Sequence, residues 1–370
     1  MMKKNPFLSL VIPTKNRSDL VEEVVAKLVD QAFDDFEIII ADNSDQAKQS
    51  SSLRNFDDPR IKYLRTGSFS MPENWEFSIN QANGEYVTIV NDKTLYRKPA
   101  LSVIAKTLAD HKPQFLTWVI GGKQSDNYNF ETISIQNVLN QDVIRHGLAC
   151  RIDLYQRFAP RGTNSAIRRD LLQSLQVKYG ALCRPFSPDY SLSTFVLEGC
   201  DSSIHLSEKL ACIIPGAPSN TEEVKKAKHF YEGYYATLGL AEEDFLRHVP
   251  SGAALINNLL LNDILESLRT TRASMPGIDE KEYYLMLISD IIISNRQGIP
   301  FDDDLEKVFY SLTKKGIVFR AVLILFLIKR FISGWPKRTT RMQGNLSDFL
   351  FAFRIFTSFE ILRRFKQLPV

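Results

Sequence analysis

Residues 7–44 read FLSLVIPTKNRSDLVEEVVAKLVDQAFDDFEIIIADNS, and their periodicities decide the fold class. Phe7 to Ile12 is a short apolar run rich in branched residues and stopped by Pro13, the pattern of a buried strand. Ser18 stands where an N-cap belongs. Leu20, Val21, Val24, Val25, Leu28 and Val29 then recur at helical spacing, which predicts an amphipathic helix over 19–31. Phe36 to Ala41 reads as a second buried strand, ending at Asp42-Asn43-Ser44.

The alternation continues outward from this unit. The pattern predicts a short strand near 61–64, a helix over 75–83 stopped by Gly84, and a strand over 86–90 ending at Asn91-Asp92-Lys93. A helix over 99–111 with Pro99 in its first turn and a strand over 115–120 follow. Strands alternating with helices predict an α/β fold with a mostly parallel sheet. Asp42 and Asp92 both fall just past the C-terminal ends of strands, where open α/β sheets bind ligands. From about Asn220 the pattern changes to long helical segments, 222–241, 253–272, 280–296 and 303–314, punctuated by Pro276-Gly277 and Gly298-Ile299-Pro300. Pro, Gly, Ser and Asn cluster at 215–220, so two domains are expected, an α/β domain at 1–218 and a helical domain at 219–370.

Composition narrows the function classes. Apolar residues make up 44% and charged residues 24% of the 370 residues, which excludes a disordered chain, a collagen-like chain and a small disulfide scaffold. The net charge of +3 argues against nucleic acid as a partner. Residues 305–370 nevertheless carry 13 Lys or Arg against 3 Asp or Glu, net +10, while the rest of the chain is net −7. Cys150, Cys183, Cys200 and Cys212 have neither metal-ligand nor redox-motif spacing, and reduced thiols fit a cytoplasmic setting. The apolar run 321–328 is far short of the roughly 20 residues of a spanning helix.

Four segments in order carry the chemistry: VIPTKNR at 11–17, FEIIIADNS at 36–44, NWEFSINQANGEYVTIVNDKTLY at 74–96, and RGTNSAIRRDLL at 161–172 with FSPDYSLSTFVLEG at 186–199. Together they resemble the family-2 glycosyltransferases, inverting enzymes with the nucleotide-sugar-binding GT-A fold. The resemblance covers roughly residues 7–215. It implies a nucleotide-sugar donor, in the first place a UDP-sugar, and a glycan or lipid-linked acceptor in bacterial surface-polysaccharide assembly. It also implies roles for single residues. Asp42 accepts a hydrogen bond from the uracil ring, where the sequence alone also allows an Asx turn. Thr14 contacts the base, and Asn16 and Arg17 extend its loop. Asn74 is a donor contact or an N-cap, and Trp75 is core. Arg161 and Asn164 approach the donor sugar. Asp189 is the catalytic base, which takes the acceptor hydroxyl proton as the oxygen attacks, and it also suits the N-cap of a helix over 190–197.

The segment Asn91-Asp92-Lys93 departs from the pattern. The family holds a divalent cation, Mg or Mn, with an acidic cluster here; Asp92 matches the ribose-side carboxylate, but Lys93 stands where the principal metal-binding Asp belongs. A charged lysine ligates no cation but pairs with phosphate. Three readings stay open: metal-independent transfer with Lys93 in the ion's place, a weakened site in a non-catalytic nucleotide-sugar or glycan-binding protein, or Asp92 as the metal ligand. No two of the five histidines, 111, 146, 205, 229 and 248, have metal-ligand spacing, and none matches the family's later histidine ligand near 213–220.

The tail has two readings as well. Leu346, Phe349, Leu350, Phe353, Phe356, Phe359, Leu362 and Phe365 form a stripe at helical spacing, with Arg354, Arg363, Arg364 and Lys366 around it. Such a stripe packs on the protein or docks, with its basic flank, on an anionic membrane surface. Docking implies a peripheral position on the inner face of the cell membrane.

Overall fold

The computed structural model describes residues 5–46, 52–54, 56–121, 134–184, 187–217, 238, 240–274, 277–316, 318–320 and 323–325. The helix expected over 222–241, the apolar run 321–328 and the basic stripe at 346–366 lie wholly or largely outside them.

The chain divides into two compact units, one of residues 1–147, 154–219 and 263–275, the other of 148–153, 220–262 and 276–370. In the first unit the strands are β1 (Leu8–Thr14), β2 (Phe36–Asp42), β3 (Ile61–Arg65), β4 (Tyr86–Ile89), β5 (Thr94–Tyr96), β6 (Phe115–Ile120), β7 (Ile135–Leu139), β8 (Ser165–Arg168) and β9 (Ser202–Ile213). They form one mixed, mostly parallel sheet in the order β3-β2-β1-β4-β8-β6-β9-β5, with β7 also on β9. β3, β2, β1 and β4 run parallel, as do β6 and β9; β8 is antiparallel between β4 and β6.

The helices lying wholly or mostly in this unit are α1 (Ser18–Val29), α2 (Met71–Asn80), α3 (Ala100–His111), α4 (Asn140–Leu148), α5 (Ile152–Phe158), α6 (Arg169–Tyr179) and α7 (Pro188–Glu198). Strand alternation sorts the core. Leu8, Leu10, Ile12, Ile38 and Ile40 bury against Val21, Val24, Val25 and Leu28 of α1 and Leu101, Ile104 and Leu108 of α3. Each such side chain contributes about 1.5–3 kcal/mol relative to full exposure.

Three boundaries differ from the sequence expectation. β1 runs through Pro13 to Thr14 instead of stopping. The β4 ladder ends at the Val11–Ile89 pair, and alternation points the Pro13 nitrogen to that vacated side, so no ladder bond is lost. α2 starts at Met71, because Ser70 and Glu73 form a capping box in which Ser70 N–H donates to Glu73 Oε2 at 2.8 Å. Ser18, expected as an N-cap, is the first helical residue of α1, and Arg17 takes the cap position.

In the second unit α9 (Glu280–Arg296) and α10 (Asp302–Thr313) join the start of α8 (Ile256–Thr271), whose residues from Asp263 onward belong to the first unit. Buried polar bonds stitch the three helices. Tyr283 Oη accepts from Ser251 N–H at 2.9 Å and donates to Asn258 Oδ1 at 2.8 Å, and Ala254 N–H donates to Asp304 Oδ1 at 2.8 Å. Asp279 caps α9 by accepting from Lys281 and Glu282 N–H.

Candidate active site

The parallel strands aim their C-terminal ends at one edge of the sheet, and the flagged residues collect there. β1 delivers Thr14, β2 Asp42, β3 Arg65, and the turn after β4 Asp92 and Lys93. β8 runs antiparallel to β4, so the segment before it, 161–164, meets the same edge. There Gly162 has φ +74° and lies so close to Ile89 that a Cβ would stand 2.7 Å from its Cδ1; only glycine fits.

Asp92 is the centre of the β1–β4 end. It is 5% exposed. Thr14 Oγ1 donates to its Oδ2 at 3.2 Å and the Arg17 guanidinium to its Oδ1 at 3.2 Å. Burial pushes its carboxyl above the ordinary aspartate range, while the charge and hydrogen bond of Arg17, the Thr14 hydroxyl and the Lys93 charge pull it back. Asn16 adopts φ 56°, donates its N–H to Ser44 Oγ at 2.8 Å and its side-chain amide to Asp45 Oδ2 at 2.8 Å. It therefore ties the β1 loop to the β2 loop.

Asp42 is fully buried, and its oxygens are engaged: Oδ1 by Ser44 N–H at 2.8 Å, Oδ2 by the Tyr63 hydroxyl at 2.7 Å and Arg65 at 3.1 Å. The Asx-type bond to Ser44 is the turn reading of the sequence. Arg65, a quarter exposed, is the group of this cluster that reaches solvent, and sequence reasoning did not single it out; the parallel register that pairs Asp42 with Arg65 is its only signal.

Asn74 is 1% exposed, and protein groups take its amide: Nδ2 donates to Ala41 O at 2.9 Å and Asn43 Oδ1 at 3.2 Å, and Oδ1 accepts from Thr66 Oγ1 at 2.7 Å. It is not the N-cap of α2, which is Ser70; it pins the end of β2. Asn164 is 2% exposed and likewise spent within its loop, on Arg161 N–H at 3.0 Å and Ala159 O at 3.2 Å.

Arg161 and Asp189 form the other end. Ser187 is the N-cap of α7, and Asp189 lies in the first turn, accepting from the N–H groups of Asp189 and Tyr190. Its side chain keeps 26% of its surface exposed and stands 3.8 Å from an Arg161 nitrogen. Burial raises its pKa, opposed by the Arg161 charge and by the two N–H bonds. The result is a reachable carboxylate with a raised proton affinity, rigidly mounted at a helix start.

Glu76 of α2, which the sequence reading passed over, grips the segment leading to that helix. Its Oε2 accepts from Leu182 N–H at 3.0 Å and Cys183 N–H at 2.8 Å, and its Oε1 from Gln176 at 2.7 Å. Glu76→Ala leaves two N–H groups without their acceptor and should lower stability by about 1–3 kcal/mol. Urea denaturation followed by circular dichroism checks this, and an unchanged midpoint would contradict it.

Asp92 is the carboxylate that the β4 turn offers a divalent cation. Asp92 is a single carboxylate already bonded to Arg17 and Thr14, with the Lys93 charge acting on it. Among the described residues no group of three or more His, Cys, Asp or Glu side chains could hold a metal ion.

Residues 9–175, which contain every strand of the parallel half and its strand-end loops, match the family model described as glycosyl transferase family 2. This segment is similar to the family-2 glycosyltransferases. Two curated proteins are similar to part of this chain. One is a GalNAc(5)-diNAcBac-PP-undecaprenol beta-1,3-glucosyltransferase of Campylobacter jejuni, 34% identical over 103 residues, which are 27% of this chain and 33% of that one. The other is the colanic acid biosynthesis glycosyl transferase WcaA of Escherichia coli, 31% identical over 124 residues, 31% of this chain and 41% of that one. The matched segment thus spans well under two thirds of each relative's length. Among solved structures, residues 1–349 of TarS from S. aureus in complex with UDP-GlcNAc align over 88% of this chain and 92% of that one at 14% identity and a TM-score of 0.48. The mannosyltransferase PcManGT from Pyrobaculum calidifontis, in complex with GDP-Man and Mn2+, aligns over 96% and 87% at 14% identity and a TM-score of 0.45.

Proposed function

We propose that this glycosyltransferase domain moves a sugar, with inversion, from a nucleotide sugar, first of all a UDP-sugar, to a glycan or lipid-linked acceptor in surface-polysaccharide synthesis. The observation that carries the reading is Asp189: a partly exposed carboxylate beside Arg161, with burial raising its proton affinity. A protein that only binds nucleotide sugars has no need of such a base. Asp189 takes the acceptor proton, Arg17 and Lys93 face the diphosphate, and Arg65 and Thr14 meet the base. Asp42, Asn16, Asn74 and Asn164 shape the loops around the donor. Asp92 orients Arg17 and meets the ribose.

The test is nucleotide release from UDP-glucose, UDP-N-acetylglucosamine, UDP-galactose and GDP-mannose. Release that depends on Asp189, and a product of inverted anomeric configuration by proton NMR, support the proposal. Tight UDP binding without release from any of the four favours the non-catalytic reading.

Among the described residues no helix is long and apolar enough to cross a membrane. A lipid-linked acceptor would still require the enzyme at a membrane, and the basic stripe at 346–366 supplies a docking face in this proposal. Arg363→Glu with Arg364→Glu should release the protein from anionic vesicles, and wild-type binding should weaken with salt. Salt-insensitive sedimentation would instead count against docking through this stripe.

A further inference from the structure

A second buried acid lies beside the candidate base. Asp263 is 5% exposed and comes from α8, outside the segment that matches the family model. Its Oδ2 accepts the Ser187 backbone N–H at 2.7 Å, and the Ser187 side chain bonds it as well. Ser187 is the N-cap of α7, two residues before Asp189. The Ser187 side chain makes no capping bond, and its backbone N–H is held by a carboxyl 76 positions away in sequence. On the other side Glu76 holds the N–H groups of Leu182 and Cys183. The segment that leads to the base is thus fastened at both ends by acids outside it, and Asp263 is the fastening nearest the base.

We propose that Asp263 is a positioning residue for Asp189: its buried carboxyl fixes Ser187, and with it the turn of α7 that presents the base. The proposal rests on Asp189 being the base. Among the described residues no ion pair involves Asp263. Burial raises its pKa well above the ordinary aspartate value, the Ser187 N–H bond opposes this, and the charges of Asp189 from α7 and Glu266 from its own helix add to it. Two adjacent carboxyls do not both ionise readily. The Arg161 charge beside Asp189 favours the charged form of Asp189, while burial favours the neutral form of Asp263. The bond that Asp263 Oδ2 accepts from Ser187 N–H can be kept by asparagine, which retains an accepting oxygen in a side chain of the same shape, and not by alanine.

The experiment compares Asp263→Ala, Asp263→Asn and the double variant Asp189→Asn with Asp263→Ala in the full chain. UDP release is read from UDP-glucose and UDP-N-acetylglucosamine, UDP affinity by calorimetry, and amide hydrogen exchange over 182–197 by mass spectrometry. Asp263→Ala should lower kcat about 10- to 100-fold with UDP affinity unchanged within about threefold, and should speed exchange at the start of α7. Asp263→Asn should restore both to within about threefold of wild type. In the double variant the loss should equal that of Asp189→Asn alone, because Asp263 acts through Asp189. Unchanged exchange in Asp263→Ala, failure of Asp263→Asn to rescue, or fully additive losses would each overturn the proposal. Wild-type levels of release in Asp189→Asn would instead remove the base itself. Hydrogen exchange still judges the Asp263 anchor if neither donor is turned over.

Discussion

Asp189→Asn should lower turnover by about 10²–10⁴-fold, or about 2.7–5.4 kcal/mol of transition-state stabilisation, while UDP should bind as in the wild type. The asparagine keeps the size of the side chain and still accepts the N–H groups at the start of α7, so the fold and the donor site stay in place. What it loses is the capacity to take a proton. The pH profile carries the same signature. The base works only when deprotonated, so activity falls as pH drops through its pKa. Burial raises that pKa above the ordinary aspartate range, so the acid limb of kcat/KM lies at higher pH than for an exposed aspartate. Removing the Arg161 charge, as in Arg161→Met, moves the limb to still higher pH. Full activity in Asp189→Asn, or an acid limb indifferent to Arg161, would take Asp189 out of the mechanism.

Transfer should also persist in EDTA, and Lys93→Ala should abolish most of it, by on the order of 10²–10³-fold. Departure of the nucleoside diphosphate leaves negative charge on its terminal phosphate, and something cationic must meet it: a divalent ion, or fixed ammonium and guanidinium groups. In this chain the lone carboxylate of the β4 turn already binds Arg17 and Thr14, and a lysine is its immediate neighbour. That arrangement is a fixed cationic pair steadied by one acid, and a poor cage for Mg²⁺ or Mn²⁺. Lys93→Asp should accordingly create a metal requirement, with activity regained on adding Mn²⁺. An enzyme silenced by EDTA and revived by Mn²⁺ in the wild-type form would return Asp92 to the role of metal ligand.

The parallel half of the sheet was legible because its signals are local. The apolar runs of β1, β2 and β4 and the helical repeat of α1 each lie within a dozen residues, and the strand-end acids follow from them. β8 and β9 were not read. Ser202–Ile213 mixes His205, Glu208 and Lys209 into its run, and its pairing with β5, β6 and β7 is set by partners distant in sequence. The same reason hid parts of the site. Arg65 acquires meaning from the β2–β3 register, Glu76 from N–H groups more than a hundred positions away, and Asp263 from Ser187. Conversely Asn74 and Asn164 looked like ligand contacts, because an amide near a strand end has the same composition whether it serves a ligand or the backbone; only their buried partners tell the two apart.

The ten-residue helix α2 holds Ala41 and Asn43 through Asn74 and, two positions later, Leu182 and Cys183 through Glu76. The nucleotide side and the base side are thus splinted to one short rod. Exchange of donor preference by grafting a relative's strand-end loops onto this scaffold is therefore a three-part operation. Residues 41–45, 66–76 and 181–184 form one inheritable cassette, and a chimera that swaps any one of them alone should lose turnover together with selectivity.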